Sequence, residues 1–117
     1  MSKYIVDVIR SAKEDTSTEQ LYKGNDILKA LTKWFEANSL YPSCVAINCY
    51  IKEDALKLLE FANSNKTILK ALYDKYNSPY KWEYIEEGIQ RKINDNCHGF
   101  LGKKDWITDM IYPFDIG

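Results

Sequence analysis

The sequence has few glycines and a single histidine, and these shortages exclude several kinds of functional site. Only five of the 117 residues are glycine, and none of them forms the G-x-G-x-x-G or P-loop spacing that holds a phosphate. His98 is the only histidine, so no second imidazole can serve as a general base. The sequence therefore predicts no nucleotide-binding loop and no cofactor.

Long apolar runs and blocks of one charge are also absent. No apolar segment approaches the ~18 residues that span a bilayer, and the N-terminus lacks the pattern of a secretory signal. The formal net charge is −1, with both signs mixed along the chain, whereas nucleic-acid binding requires a concentrated cationic face. We therefore predict a single globular domain over residues 1–117, cytoplasmic, with no direct contact to nucleic acid or membrane.

The three cysteines form an odd set that fits poorly with a disulfide framework. Cys44, Cys49 and Cys97 are expected to be reduced thiols in the protein interior. Together with His98 they offer a Cys₃His set of metal ligands, but neighbouring Cys97 and His98 lack the spacer that lets both reach one ion. The same adjacency disfavours an activated catalytic thiolate at Cys97. The sequence therefore predicts no metal site.

Apolar residues recur at helical spacing in four segments. The first runs from Ile27 to Phe35 after a capping Asn25 or Asp26, and it stops near residues 38–42, where Pro42 disfavours a helix. The other three stripes are Ile68–Tyr76, Trp82–Ile93 and Trp106–Ile111. These stripes predict helices, with the side chains of Leu28, Leu31, Phe35, Leu59, Leu69, Leu72, Ile85 and Ile89 in the core.

Two further segments fit either a helix or a strand. Residues 45–51 alternate like a strand, but a helical stripe over 43–63 continues through Leu58 and Leu59, and it favours a helix. Tyr4–Ile9 is rich in β-branched residues, which favour strands. Residues 12–18 suggest a loop or a helix start, and 18–23 a further helical turn. We therefore expect a mostly α fold of five to six helices; the alternative is an α+β fold with a short strand pair near 4–9 and 45–51.

One pentapeptide occurs twice. Ile-Leu-Lys-Ala-Leu stands at residues 27–31 and again at 68–72, an offset in the range of helical-hairpin repeats. A duplication would predict a pair of stacked helical hairpins over residues 26–63 and 66–95. Chance recurrence of good helix formers is the alternative.

Aromatic and acidic residues are interleaved in the last third of the chain. Nine of the sixteen aromatic residues lie between Tyr73 and Phe114, and from Asp105 onward there are three acids and no Lys or Arg. Surface rings supply anchor area and acids steer a basic partner. The predicted partner-binding face comprises residues outside the helical stripes and the acids beside them: Tyr80, Glu83, Tyr84, Glu87, Asp105, Asp109, Tyr112, Phe114 and Asp115.

These observations predict a non-catalytic inhibitor that binds another protein. Our leading hypothesis is a toxin-neutralising immunity protein or antitoxin that blocks a basic toxin or nuclease, because nuclease active sites are basic. One alternative is a small enzyme that uses Cys97 or the cluster of Glu83, Glu86 and Glu87. Another is a structural or adaptor helical module. The sequence does not predict an oligomeric state.

Overall fold

A three-stranded antiparallel sheet with helices packed against it makes up the described part of the chain. The computed structural model describes residues 2–12, 15–41, 45–49 and 51–94. The strands in these ranges are β1 (Tyr4–Ala12), β2 (Asp15–Gly24) and β3 (Val45–Asn48). The helices there are α1 (Ile27–Leu40), α2 (Lys52–Ser64), α3 (Lys66–Lys75) and α4 (Trp82–Asn94).

The sheet has the strand order β2-β1-β3, so β1 is its central strand. β1 pairs with β2 along its whole length, with a bulge between Val6 and Asp7. It pairs with β3 over a shorter stretch, from Ile5 opposite Asn48 to Val8 opposite Val45. The four-residue strand β3 is thus held by β1, and α1 packs against all three strands.

The predicted mostly α fold of five to six helices is wrong, because the structure is an α+β fold. Residues 45–48 form β3 rather than the first turns of a helix, and α2 starts only at Lys52. The alternative strand pair near 4–9 and 45–51 is present as the β1–β3 pairing. Neither prediction included β2, which occupies the region expected to be a loop and a further helical turn.

Three of the four helical stripes form helices. α1 begins where expected, and the Asp26 carboxylate accepts a hydrogen bond from the Lys29 N–H at 3.1 Å. α3 ends before Asn77, whose φ of 50° lies in the left-handed region that commonly follows a helix. The stripe Trp106–Ile111 lies outside the described residues. Among the helices in the described ranges, none is long and apolar enough to cross a membrane.

The core lies between one face of the sheet and the helices. Val6, Val8 and Ile47 point into it from the strands, and Trp34 of α1 donates its indole N–H to the Val45 carbonyl at 3.2 Å. On the helices, the buried apolar side chains include Leu31, Phe35, Leu58, Leu59, Leu69, Ile85 and Ile89. Six of the eight predicted core residues are therefore buried.

The other two predicted core residues, Leu28 and Leu72, differ from that expectation. Leu28 is 42% exposed, so its assignment to the core is wrong, and Leu72 is partly buried. The two copies of the pentapeptide lie in α1 and α3. The predicted pair of helical hairpins is also wrong, because β3 interrupts the first of them.

Candidate partner-binding face

Helix α4 has a buried side and an exposed side. Ile85, Gly88 and Ile89 are buried, and α4 packs mainly against α2. Glu83, Tyr84 and Glu87 are exposed. Glu87 lies four positions after Glu83 and three after Tyr84, so it neighbours both of them on the helix surface. We call Glu83, Tyr84 and Glu87 the α4 face.

Tyr84 is the aromatic residue of this face. Its side chain is 48% exposed, and the Lys81 ammonium lies 5.8 Å from the centroid of its ring. That distance is typical of a cation–π contact. The Tyr84 ring therefore already lies beside one cation.

Tyr80 was predicted as a partner contact, and the structure places it two residues before α4 with its ring turned inward. Its ring stacks on Trp34 with centroids 6.1 Å apart, and its hydroxyl donates to Asn38 Oδ1 at 3.2 Å. The Tyr73 hydroxyl donates to the Tyr80 carbonyl at 2.7 Å. Tyr80 is half-buried, and these contacts attach the α3–α4 connection to α1.

The other predicted site residues fall outside the described part of the chain. They are Asp105, Asp109, Tyr112, Phe114 and Asp115. Cys44, Cys97 and His98, considered for a metal site or a catalytic thiol, lie outside it as well. Cys49 is a buried cysteine. Within residues 2–12, 15–41, 45–49 and 51–94, no group of three or more His, Cys, Asp or Glu residues could hold a metal ion.

The glutamates considered for acid–base chemistry do not share one environment. Glu86 forms an ion pair with Lys66 of α3, with 3.3 Å between Nζ and Oε2. Glu83 and Glu87 are exposed on the α4 face. General acid–base catalysis by a pair of carboxylates requires both to reach one substrate, and this arrangement does not bring Glu86 and the exposed pair to a common cavity.

An open groove of about 500 Å³ separates α3 from α4. Its walls carry two ion pairs, Lys66–Glu86 and Lys70–Asp74, and the Lys70 ammonium lies 5.5 Å from the centroid of the Trp82 ring. The positive charges are thus matched by carboxylates within the groove, which leaves no excess charge to select a ligand.

A second groove, of about 480 Å³, lies beside the first turns of α1. Tyr22 and the exposed Leu28 form its apolar part, whereas Asp26, Lys33 and Glu36 contribute charges of both signs. The Lys33 ammonium contacts the Glu36 carboxylate at 3.5 Å. The lining of this groove combines apolar side chains with charges of both signs, and it contains no cluster of reactive groups.

Sequence reasoning missed a polar pair on the sheet. Asn48 donates its amide to Asp7 Oδ2 at 3.0 Å, and burial raises the pKa of the Asp7 carboxyl, with the Asn48 hydrogen bond opposing that rise. The buried Asn48 Oδ1 has no hydrogen-bond partner within the part of the chain that the structure describes. The alternation of residues 45–51 could have predicted that Asn48 lies on the face of the sheet away from the core. It could not have predicted that Asp7 is its hydrogen-bond partner.

Comparison of the chain with models of protein families, with curated proteins and with solved structures gives no match. No family of catalysts is therefore indicated.

Proposed function

We propose that this protein is a non-catalytic, cytoplasmic inhibitor that binds a basic partner protein through the α4 face. In its most specific form, the proposal is an immunity protein or antitoxin that neutralises a toxin with a basic, nuclease-like active site. The observation that carries it is that Glu83, Tyr84 and Glu87 are all exposed on the side of α4 that faces away from the buried Ile85 and Ile89.

The support of the α4 face favours a role in binding. Ile85 and Ile89 are buried on the opposite side of the same helix, so the exposed side chains project from a helix that is fixed by packing. A rigid helix lowers the entropic cost of association, because only the side chains must be ordered. Tyrosine is also enriched in binding hot spots, since its ring gives a large contact area with few rotatable bonds.

The chemistry of the face suits a cationic partner. Lys81 lies near the Tyr84 ring, and an arginine from a partner could stack on the same ring while its guanidinium contacts Glu83 or Glu87. Nuclease active sites concentrate such basic side chains because they bind phosphate. If they lie on the same face, as the sequence predicts, Asp105, Asp109 and Asp115 would add to the attraction for a basic partner.

The proposal can be tested by capture of partners from the source cells with the intact protein, followed by binding kinetics. The supporting result is a basic protein whose association is slowed and becomes less salt-dependent with Glu83→Lys/Glu87→Lys, because exposed charges mainly steer encounter. Tyr84→Ala should speed dissociation and cost ~1–3 kcal/mol of binding free energy. Stoichiometric inhibition of the partner's nuclease activity would support the specific form.

Two matched variants control for nonspecific effects. Glu60→Lys reverses an exposed charge on α2, and Ile68→Ala truncates an exposed side chain on α3. Both should leave association and dissociation unchanged. The proposal would be overturned by a partner whose binding does not change with the substitutions on the α4 face. It would also be overturned if both control variants changed binding as much as those substitutions.

A further inference from the structure

Lys70 of α3 contacts two aromatic rings at the open groove between α3 and α4. Its ammonium lies 4.4 Å from the centroid of the Tyr73 ring and 5.5 Å from that of the Trp82 ring. The two rings meet edge to face, with centroids 5.4 Å apart and planes inclined by 74°. They therefore form an aromatic corner in which one cation contacts both rings.

Carboxylates lie beside this aromatic corner. Asp74 is 3.2 Å from the Lys70 ammonium, and Glu86, which lines the same groove, pairs with Lys66 at 3.3 Å. Carboxylates and the faces of aromatic rings both attract cations, so this combination disfavours an anion and suits the positive end of a side chain. Lys70 itself shows which kind of chemical group the corner holds.

The contacts of Lys70 can be given up at little cost. The Lys70 side chain is 46% exposed and that of Asp74 is 64% exposed, and ion pairs at such positions contribute little to stability. Lysine is a flexible side chain with a strongly hydrated ammonium. Lys70 can therefore turn into solvent without unfolding α3, because the buried Leu69 attaches that helix to the core.

We propose that the groove between α3 and α4 is a second contact site for the partner protein and takes an arginine side chain in place of Lys70. A guanidinium is planar and more weakly hydrated than an ammonium, so it stacks better on Trp82 and gives up less hydration. It also donates two parallel hydrogen bonds to one carboxylate, here that of Asp74. The exchange keeps the groove neutral, because one positive charge leaves as another enters.

This inference rests on the proposed function in one respect, namely that the partner is a basic protein. The residues that line the groove do not include those of the α4 face, although Trp82 and Glu86 lie on the same helix as that face. The groove volume of about 500 Å³ lies within the range of small-ligand pockets. A partner that covers α4 would therefore place one anchor in the groove and others on the α4 face.

An NMR titration of the full-length protein tests the groove without the partner. The probe is N-acetyl-arginine amide, and N-acetyl-citrulline amide, which has a similar shape without the charge, is its neutral match. The arginine probe should shift the Trp82 indole N–H and the Lys70 amide saturably, and N-acetyl-lysine amide should bind more weakly. The proposal would be overturned by the absence of a saturable shift, by equal binding of citrulline, or by stronger binding of the lysine probe.

Two lysines of α3 separate an exchange of cations from a general effect of charge. Lys75 lies 5.2 Å from the centroid of the Tyr76 ring, but it does not line the groove. Lys70→Gln removes the competing cation and should raise the affinity for the arginine probe about two- to fivefold, the equivalent of one exposed cation–π contact. Lys75→Gln removes the same charge and should leave that affinity unchanged. Equal gains in both variants, or no gain with Lys70→Gln, would contradict the exchange.

Further variants distinguish failure of this inference from failure of the proposed function. Trp82→Leu should abolish the saturable shift of the Lys70 amide, and Asp74→Asn, at an exposed position, should weaken probe binding without disturbing the fold. Tyr84→Ala, on the α4 face, should leave probe binding unchanged. Loss of probe binding in Tyr84→Ala, or full binding in both Trp82→Leu and Asp74→Asn, would overturn the groove site. Binding of the captured partner to Tyr84→Ala tests the α4 face separately, so either site can fail without the other.

Discussion

The Tyr80 ring stacks on the indole of Trp34, with ring centroids 6.1 Å apart and planes inclined by 26°. Trp34 is fully buried in α1, where it also contacts Phe35 edge to face. The hydroxyl of Tyr80 reaches Asn38 of the same helix. This stacking attaches the residues just before α4 to the centre of the core. The position of the α4 face therefore depends on Tyr80, which precedes α4 in the sequence.

Replacement of Tyr80 should therefore affect stability. Tyr80→Phe keeps the stacking and removes one hydrogen bond, so the free energy of unfolding should fall by ~0.5–1.5 kcal/mol. Tyr80→Ala removes the ring as well and should cost ~2–4 kcal/mol. Denaturant titration measures both changes. An alanine variant as stable as the native protein would show that the stacking does not hold α4.

The three helical stripes were predictable because each buries one side against the same core. The stripe from Ile27 to Phe35, for example, carries the 3.6-residue period along a whole helix face. Residues 45–51 were harder, since Val45, Ile47 and Cys49 are spaced for a strand while the segment also continues a helical pattern. Pairing with β1 makes these residues a strand. Such pairing is a tertiary contact, so the local spacing of apolar residues does not predict it.

β2 was missed for a related reason. Its sequence contains several polar residues, and Glu19, Gln20 and Lys23 are exposed. This strand forms because β1 pairs with it along its whole length. Its own apolar pattern is too weak to predict it. At the candidate site, exposure of Glu83, Tyr84 and Glu87 agrees with their places off the stripe. The inward turn of Tyr80 was not predictable, because it depends on contact with a helix about forty residues away.

Leu28 and Leu31 of α1 form a matched pair for testing the core. Leu31 is fully buried, whereas Leu28 is 42% exposed. Leu31→Ala should cost ~2–5 kcal/mol of unfolding free energy, and Leu28→Ala should change it by less than ~0.5 kcal/mol. Leu72→Ala, at a partly buried position, should fall between them. Chemical denaturation of the three variants gives the order, and a larger loss at Leu28 than at Leu31 would contradict the packing of α1.

Replacement of Asp7 by asparagine should stabilise the protein at neutral pH. Burial raises the pKa of the Asp7 carboxyl above its ordinary value of 3.8, so the folded protein holds the proton more tightly than the unfolded chain. The stability from this group is complete below pH 3.8 and is lost as the pH rises through the raised pKa. Asp7→Asn carries no such charge, and its amide could also donate to Asn48 Oδ1.

The measurement is the free energy of unfolding of both proteins from pH 3 to pH 7. The native protein should lose stability relative to Asp7→Asn as the carboxyl ionises, and the difference should reach a plateau at higher pH. The added hydrogen bond should contribute about 1 kcal/mol at every pH, and the ionisation of Asp7 should enlarge the difference as the pH rises. Asn48→Asp would place two carboxylates together and should have the opposite effect. A pH-independent difference between native protein and Asp7→Asn would contradict the burial of Asp7.

Tyr4 connects the sheet to α2 and should make the protein sensitive to alkali. Its hydroxyl donates to the Asp54 carbonyl at 3.1 Å, and its side chain is 2% exposed. Burial, followed by the charges of Cys49 and Asp54, raises the pKa of Tyr4 from 10.0 to about 12. Neutral Tyr4 is therefore favoured in the folded protein, and the corresponding stability is complete below pH 10 and lost as the pH rises through about 12.

Tyr4→Phe separates the hydrogen bond from the ionisation. At pH 7 the variant should be less stable by ~0.5–1.5 kcal/mol, because one buried hydrogen bond is lost while the ring remains. Above pH 10 the native protein should lose stability faster than the variant, so the difference should shrink and then reverse sign. Thermal unfolding at intervals from pH 7 to pH 11.5, with Tyr84→Phe as the exposed control, tests this. Parallel curves for native protein and Tyr4→Phe would mean that Tyr4 ionises no less readily in the folded protein than in the unfolded chain.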